Sequence, residues 1–457
     1  MRVSAALHGN PYVPMEVYAG CVSSRKTGTA CFPTYTRLKR TRKVPGSGIP
    51  FPGNGIPFPG NGIPFPGNGI PFPGSGISLP GNSIPHAEEA LTAPFGWRML
   101  NPRRDLVEGV AMSEHRITGT GRLLDEKGHL REPGWATCPP FTYDHADIQA
   151  PPWRIKDWDY YLINDEHYAV ALTFSDLGYL GLVSASVMDF SARSFKTTSE
   201  TVPLPLGSMG LPASSDAGDI CWENARCRVM WRHVNDGGRR LSFAMRNFDG
   251  DNDLEVEALL DQPPRDSMVI CTPWDDDPHA FYYNRKIVGM RAWGGFRRGA
   301  LFHEFKRDDS FGLLDWGRGV WTYENTWYWA VAQGRQDGRV VGLNLGYGFG
   351  NTSAASENMV FVDGVAHKLG RVDFGIPVGK KGYAYLSPWH VTDDEGRLDL
   401  SFEPLIDRTD NIDLAGIIVS RQHQVFGTFT GTVALDDGSS LCITGLRGSA
   451  EHIYNKY

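Results

Sequence analysis

Trp158-Asp159-Tyr160-Tyr161-Leu162-Ile163-Asn164-Asp165-Glu166-His167-Tyr168-Ala169-Val170-Ala171-Leu172-Thr173-Phe174 is two apolar, aromatic-rich runs joined by a short polar turn. Runs of this composition between turn residues read as strands. Parallel neighbours need a crossover of roughly a dozen residues, so this short link makes the pair antiparallel. The same pattern recurs outward at Gly178–Phe190, Cys227–Asn235, Arg239–Phe248, Leu254–Asp261, Phe281–Trp293, Thr326–Gln333 and Arg339–Phe349. It continues at Leu398–Leu405, Ile412–Ser420, Val425–Leu435 and Ser440–Leu446. Asn235-Asp236-Gly237-Gly238, Gln336-Asp337-Gly338 and Asp436-Asp437-Gly438 supply hairpin turns. One short helix is expected at Ser449–Lys456, and no repeated strand–helix–strand alternation occurs.

So many strands exceed one open sheet, and closure into barrels or sandwiches removes their exposed edges. The expected fold is all-β, with two antiparallel barrel-like domains at 112–305 and 306–457. A charged break containing Arg297, Arg298, Lys306, Arg307, Asp308 and Asp309 divides them. A single large sandwich is the rival arrangement.

The 457 residues are 41% hydrophobic, 12% aromatic and 21% charged, which is enough apolar material for a sizeable core. Residues 1–111 differ from the rest. They hold 16 of the 31 prolines, and 11 Lys and Arg against 5 Asp and Glu. Of the chain's 45 basic and 52 acidic side chains, that leaves 34 and 47 for the body. Residues 44–85 repeat a seven-residue Pro/Gly unit, three times as Phe-Pro-Gly-Asn-Gly-Ile-Pro. Prolines at that density block both helix and sheet ladder. Residues 1–111 are therefore expected to be a disordered extension or spacer, with the body starting at Met112.

The acidic body makes a poor nucleic-acid platform, because such binding needs clustered Lys and Arg. No run approaches 18 apolar residues, so no integral membrane segment is expected. The N-terminus shows no apolar stretch of the secretory type, and the expected location is cytoplasmic. Seven cysteines are sparse and lack zinc-like spacing. Asp249–Asp253 lacks the glycine and the glutamate of a calcium loop, and Asp275–His279 reads as a polar turn. Phosphate-loop, HExxH and GxSxG patterns are absent. No metal and no cofactor are expected, and oligomeric state is not readable.

The densest chemistry lies in Asp315–Trp329, where Trp316, Trp321, Trp327 and Trp329 alternate with Asp315, Arg318, Tyr323 and Asn325. Any single indole there reads most simply as core. Interleaved polar groups are costly to bury unpaired, and the mixture points instead to a pocket wall. Asn344–Asn358 supplies a second wall with Asn344, Tyr347, Asn351 and Glu357. Gly346, Gly348 and Gly350 alternate there, leaving one strand face bare for close approach.

These two stretches, with Leu124–Gly128, Glu132–Ala136 and Lys156–Tyr161, resemble an uncharacterised, largely bacterial family catalogued as a domain of unknown function. The resemblance covers 113–457. More distantly, that family is similar to the tandem lipocalin-like proteins that include carotenoid hydratases and tocopherol cyclases. This implies two calyx-shaped β domains and an apolar, terpenoid- or lipid-like ligand. It implies no catalytic residue.

Three functions follow as expectations. In the first, a hydrophobic small molecule undergoes hydration, cyclisation or isomerisation, with Asp315 or Glu357 as proton donor. Burial raises a carboxyl towards neutrality, and indole faces stabilise a cation. In the second, the same pocket only carries the molecule. In the third, the tryptophans stack on sugars beside two carboxyls.

Overall fold

The computed structural model describes residues 114–457 apart from 235–236, 263–264, 381, 415, 417 and 457. The expectations for 1–111, the repeat and Met112 lie outside the described residues. Among these residues the chain is all-β, in a 13-stranded and a 9-stranded antiparallel sheet with two small two-stranded ribbons. The described helices are single 3-10 turns at His145–Asp147 and Pro152–Arg154.

The first sheet runs Ser194–Pro203, Leu180–Asp189, Tyr168–Asp176, Ile155–Asn164, Phe311–Val320, Phe281–Arg298, then on through Asn252–Asp261 to Ile220–Glu223. Its far edges meet, with Asn224 Nδ2 donating to Glu200 Oε1 at 3.0 Å. The second sheet runs Val365–Lys368, Met359–Val362, Arg339–Tyr347, Glu324–Gln336, Ser440–Lys456, Ile418–Ala434, Leu398–Leu414, Trp389–Asp393 and Val372–Asp373. Its two edge strands are separated only by Leu369–Arg371, a link too short to cross a flat sheet, so the sheet curls round.

Each curled sheet is filled by its own side chains. Trp231, Phe243, Phe281 and Trp316 pack in the first, and Phe374, Trp389, Phe402 and Phe429 in the second. A third apolar cluster lies where the outer faces of the two sheets meet, with Tyr160, Tyr282, Trp321, Trp329 and Phe349. Gln333 Nε2 donates to Asn164 Oδ1 across this junction at 2.9 Å.

The charged stretch around 297–309 joins strands of the same sheet, and the sheets change at Trp321–Tyr323 instead. The C-terminal segment is not helical: Ser440–Lys456 is one 17-residue strand, paired on both sides. Leu441, Ile443, Leu446 and Ala450 pack in the core of the second sheet, and pairing on both sides holds the segment extended. Ile412–Ser420 is not one strand either. It spans the tip of a long hairpin, where Gly416 has φ +70 and its N–H donates to Asp413 Oδ1. Asp249–Asp253 forms a hairpin turn, as its composition suggested. Cys221 and Cys227 are free thiols.

Candidate functional site

The site is built from two rows of side chains on facing sheets. Residues directly opposite in an antiparallel pair point to the same face. In the first sheet the registers Lys286↔Asp315, Asp315↔Tyr160, Tyr160↔Thr173, Thr173↔Ser184 and Ser184↔Ser199 place one polar row across six strands. In the second sheet Gly346, Trp329, Glu451, Gln424 and Arg408 form a similar row. The rows meet where Lys286 Nζ sits 4.3 Å from the centre of the Trp329 ring and Arg408 Nη1 donates to Ser186 Oγ at 3.0 Å.

Between the rows lies a chamber of about 240 Å³, lined by Trp158, Tyr160, Asp315, Trp321, Trp327, Trp329, Arg408, Gln424 and Glu451 among others. It continues into a groove of about 840 Å³ along Ser194–Pro203 and the Ile418–Ala434 hairpin. Its polar end is a buried charge cluster. Lys286 Nζ lies 2.8 Å from Asp315 Oδ2 and 4.0 Å from Glu357 Oε2. Asn284 Nδ2 donates to Asp315 Oδ1 at 2.7 Å. Glu451 accepts from Trp327 Nε1 and from Gln424 Nε2, each at 3.0 Å.

Both glutamates are fully enclosed. Burial pushes Glu357 and Glu451 up to about 7, against the partial relief that Lys286 gives each of them. Burial likewise pushes the Tyr160 phenol up to about 12. Such a carboxyl holds a proton near neutral pH and can give it up.

The glycine alternation has a definite use. Asp315, Gly317 and Gly319 share the face towards the second sheet, and the Trp158 ring lies where a Gly317 side chain would stand. Gly346 similarly makes room for Glu357, whose Oε1 lies 2.8 Å from the position of a Cβ there. Gly348 and Gly350 have positive φ and form a turn after the strand.

The structure brings Asp315, Trp321, Trp327 and Trp329 to the chamber wall, with Asn344 and Glu357 directly behind it. Asn344 Oδ1 accepts from Trp329 Nε1 at 2.8 Å, and its Nδ2 donates to the Glu357 carbonyl at 2.7 Å. Six expected residues sit elsewhere. Trp316 and Arg318 alternate to the other face and lie inside the first sheet, where Arg318 Nη2 donates to Asp159 Oδ1 at 2.9 Å. Tyr347 stacks on Tyr328 inside the second sheet, ring centres 4.5 Å apart. Asn325 closes a turn on Thr322 O, and Asn351 donates to Asp275 on a loop. Tyr323 is half exposed.

Sequence reasoning missed Lys286, Tyr160, Gln424, Arg408 and Glu451. A polar residue on an inward position of an apolar strand marks Gln424 and Glu451, once Ser440–Lys456 is read as extended. Among the described residues no group of three His, Cys, Asp or Glu is placed to hold a metal ion. No described helix is long and apolar enough to cross a membrane.

No curated protein matches the sequence. The structure is similar to that of CghA with Sch210972, at 11% identity over 73% of this chain and 97% of that one, with a TM-score of 0.44. It is also similar to kievitone hydratase from Nectria haematococca, at 8% identity over 70% of this chain and 96% of that one, with a TM-score of 0.39. Residues 114–457 match a family profile over most of the chain, and the protein belongs to the family described as "Domain of unknown function (DUF2804)".

Proposed function

We propose that the chamber binds an apolar small molecule and converts it by proton transfer, through hydration, cyclisation or isomerisation. Glu451 is the acid. The observation that carries this reading is a buried carboxyl that lines the chamber between two neutral donors, where burial pushes it up to about 7. Trp327 and Gln424 hold its two oxygens, so the proton is aimed at one place. Asp315 faces the same chamber but is paired with Lys286, and it serves to tune and position. Trp321, Trp327 and Trp329 offer ring density to a developing positive charge.

A carrier would use the same chamber, and the Lys286–Asp315 pair alone would suit it. A buried acid aimed at the ligand has no use in a carrier, which favours the enzyme.

The test is solvent deuterium incorporation. Small molecules extracted from the purified full chain are returned to wild type or Glu451→Gln in D₂O and weighed by mass spectrometry. Wild type should place deuterium on carbon, and Glu451→Gln should bind the same molecule without exchange. Binding without exchange in both proteins returns the carrier.

A further inference from the structure

The groove that leaves the chamber carries information about the shape of the ligand. Resting on the function proposed above, we infer that the ligand is an elongated amphiphile: its reactive polar end enters the chamber and its apolar chain lies in the groove. The chamber alone, at about 240 Å³, is below the roughly 300–1,000 Å³ usual for small-molecule sites. The groove, at about 840 Å³, is continuous with it through Leu182, Thr197, Ser199, Arg408 and Gln422, which line both.

The two spaces differ in chemistry. The chamber wall holds Glu451 and Asp315, with Tyr160 and Gln424 beside them and the Lys286 ammonium paired to Asp315. The groove adds Leu180, Phe195, Ile412 and Ile418 to the Leu177 and Leu182 it shares with the chamber, beside polar residues that include Lys196, Arg408 and Asp410. Phe195 and Ile412 are 37% and 42% exposed, which leaves apolar surface facing water until something covers it. A polar end and an apolar wall in one continuous space match one molecule with both characters.

The polar side of the space carries both signs of charge. Asp315, Asp410 and Glu451 line it together with Lys156 and Arg408. A hydroxyl head can accept from one of these groups and donate to another.

The test uses primary n-alcohols from hexanol to tetradecanol, titrated into the full chain and followed by tryptophan fluorescence and calorimetry. Affinity should rise about fourfold per added methylene along the groove. Phe195→Ser with Ile412→Ser, both at exposed positions, should flatten the rise for long alcohols and leave hexanol unchanged. Equal affinity for short and long alcohols, or no binding of any alcohol, overturns the inference. Deuterium exchange by wild type, with any of these failures, would leave the acid–base reading standing.

Discussion

Trp327 and Glu451 stand on neighbouring strands of the second sheet, and the indole N–H of the first donates to Oε1 of the second at 3.0 Å. Gln424 donates to the other oxygen from the opposite side. Both partners are neutral, so neither fixes the carboxyl in its ionised form as an arginine would. Burial is then left to set its proton affinity, and the result lies near neutrality.

The first prediction concerns stability against pH. Glu357 and Glu451 are held at about 7 in the fold, against about 4.5 when the chain is unfolded. Between those values the folded protein keeps protons that the unfolded chain has released. Stability from these groups is therefore full below about 4.5 and is lost as pH rises through about 7. Each carboxyl contributes roughly 3 kcal/mol to that loss. Urea unfolding of Glu451→Gln from pH 4 to 8 should show a flatter dependence than wild type. Parallel curves would place Glu451 at its ordinary value.

The second prediction concerns the Lys286–Asp315 pair, whose Nζ and Oδ2 are 2.8 Å apart. Both side chains are almost fully buried. Lys286→Met leaves Asp315 and Glu357 without their ammonium and should cost roughly 3–5 kcal/mol. Combining Lys286→Met with Asp315→Leu removes the pair together and should recover most of that loss. Chemical denaturation of the three variants forms the cycle, and additive losses would mean that the pair is not coupled.

The third prediction concerns Gly317. An alanine methyl there would stand inside the Trp158 ring. That ring cannot move aside freely, because it stacks on Tyr282 and meets Trp321 edge-on. Gly317→Ala should cost roughly 1–3 kcal/mol and shift Trp158 into the chamber. Thermal unfolding and dodecanol affinity should both fall; an unchanged affinity would show that Trp158 does not line the bound ligand.

The strand content was readable because period-two alternation and turn residues are local properties. Where a strand's second neighbour is distant in sequence, the reading failed. Ser440–Lys456 forms a hairpin with Ile418–Ala434, but on its other side it pairs with Glu324–Gln336, far earlier in the chain. Its last residues looked helical in isolation, which hid Glu451. Composition also found the indole cluster, but not which side of the strand each residue faces. Asp315 and Arg318 are both polar residues among tryptophans, yet an odd spacing sends them to opposite layers. Lys286 belongs to a strand 30 residues earlier than the motif, brought beside Asp315 only by pairing.

That separation of faces gives the last prediction. Arg318 is fully buried inside the first sheet, where it donates to Asp159 Oδ1 and to the carbonyls of Trp158, Gly317 and Pro212. Burial already pushes the Asp159 carboxyl up, and Arg318 is the charge that opposes it. Arg318→Met removes that charge and strands Asp159, for a loss of roughly 3–5 kcal/mol at pH 7. Part of the loss should return at acid pH, because a protonated Asp159 no longer needs a partner. The chamber lies on the other side of the sheet, so folded Arg318→Met should bind dodecanol as wild type does. Urea unfolding at pH 5 and pH 7, with dodecanol titration of the folded variant, separates the two effects. A large fall in dodecanol affinity would put Arg318 back among the ligand contacts, as its neighbours in sequence suggested.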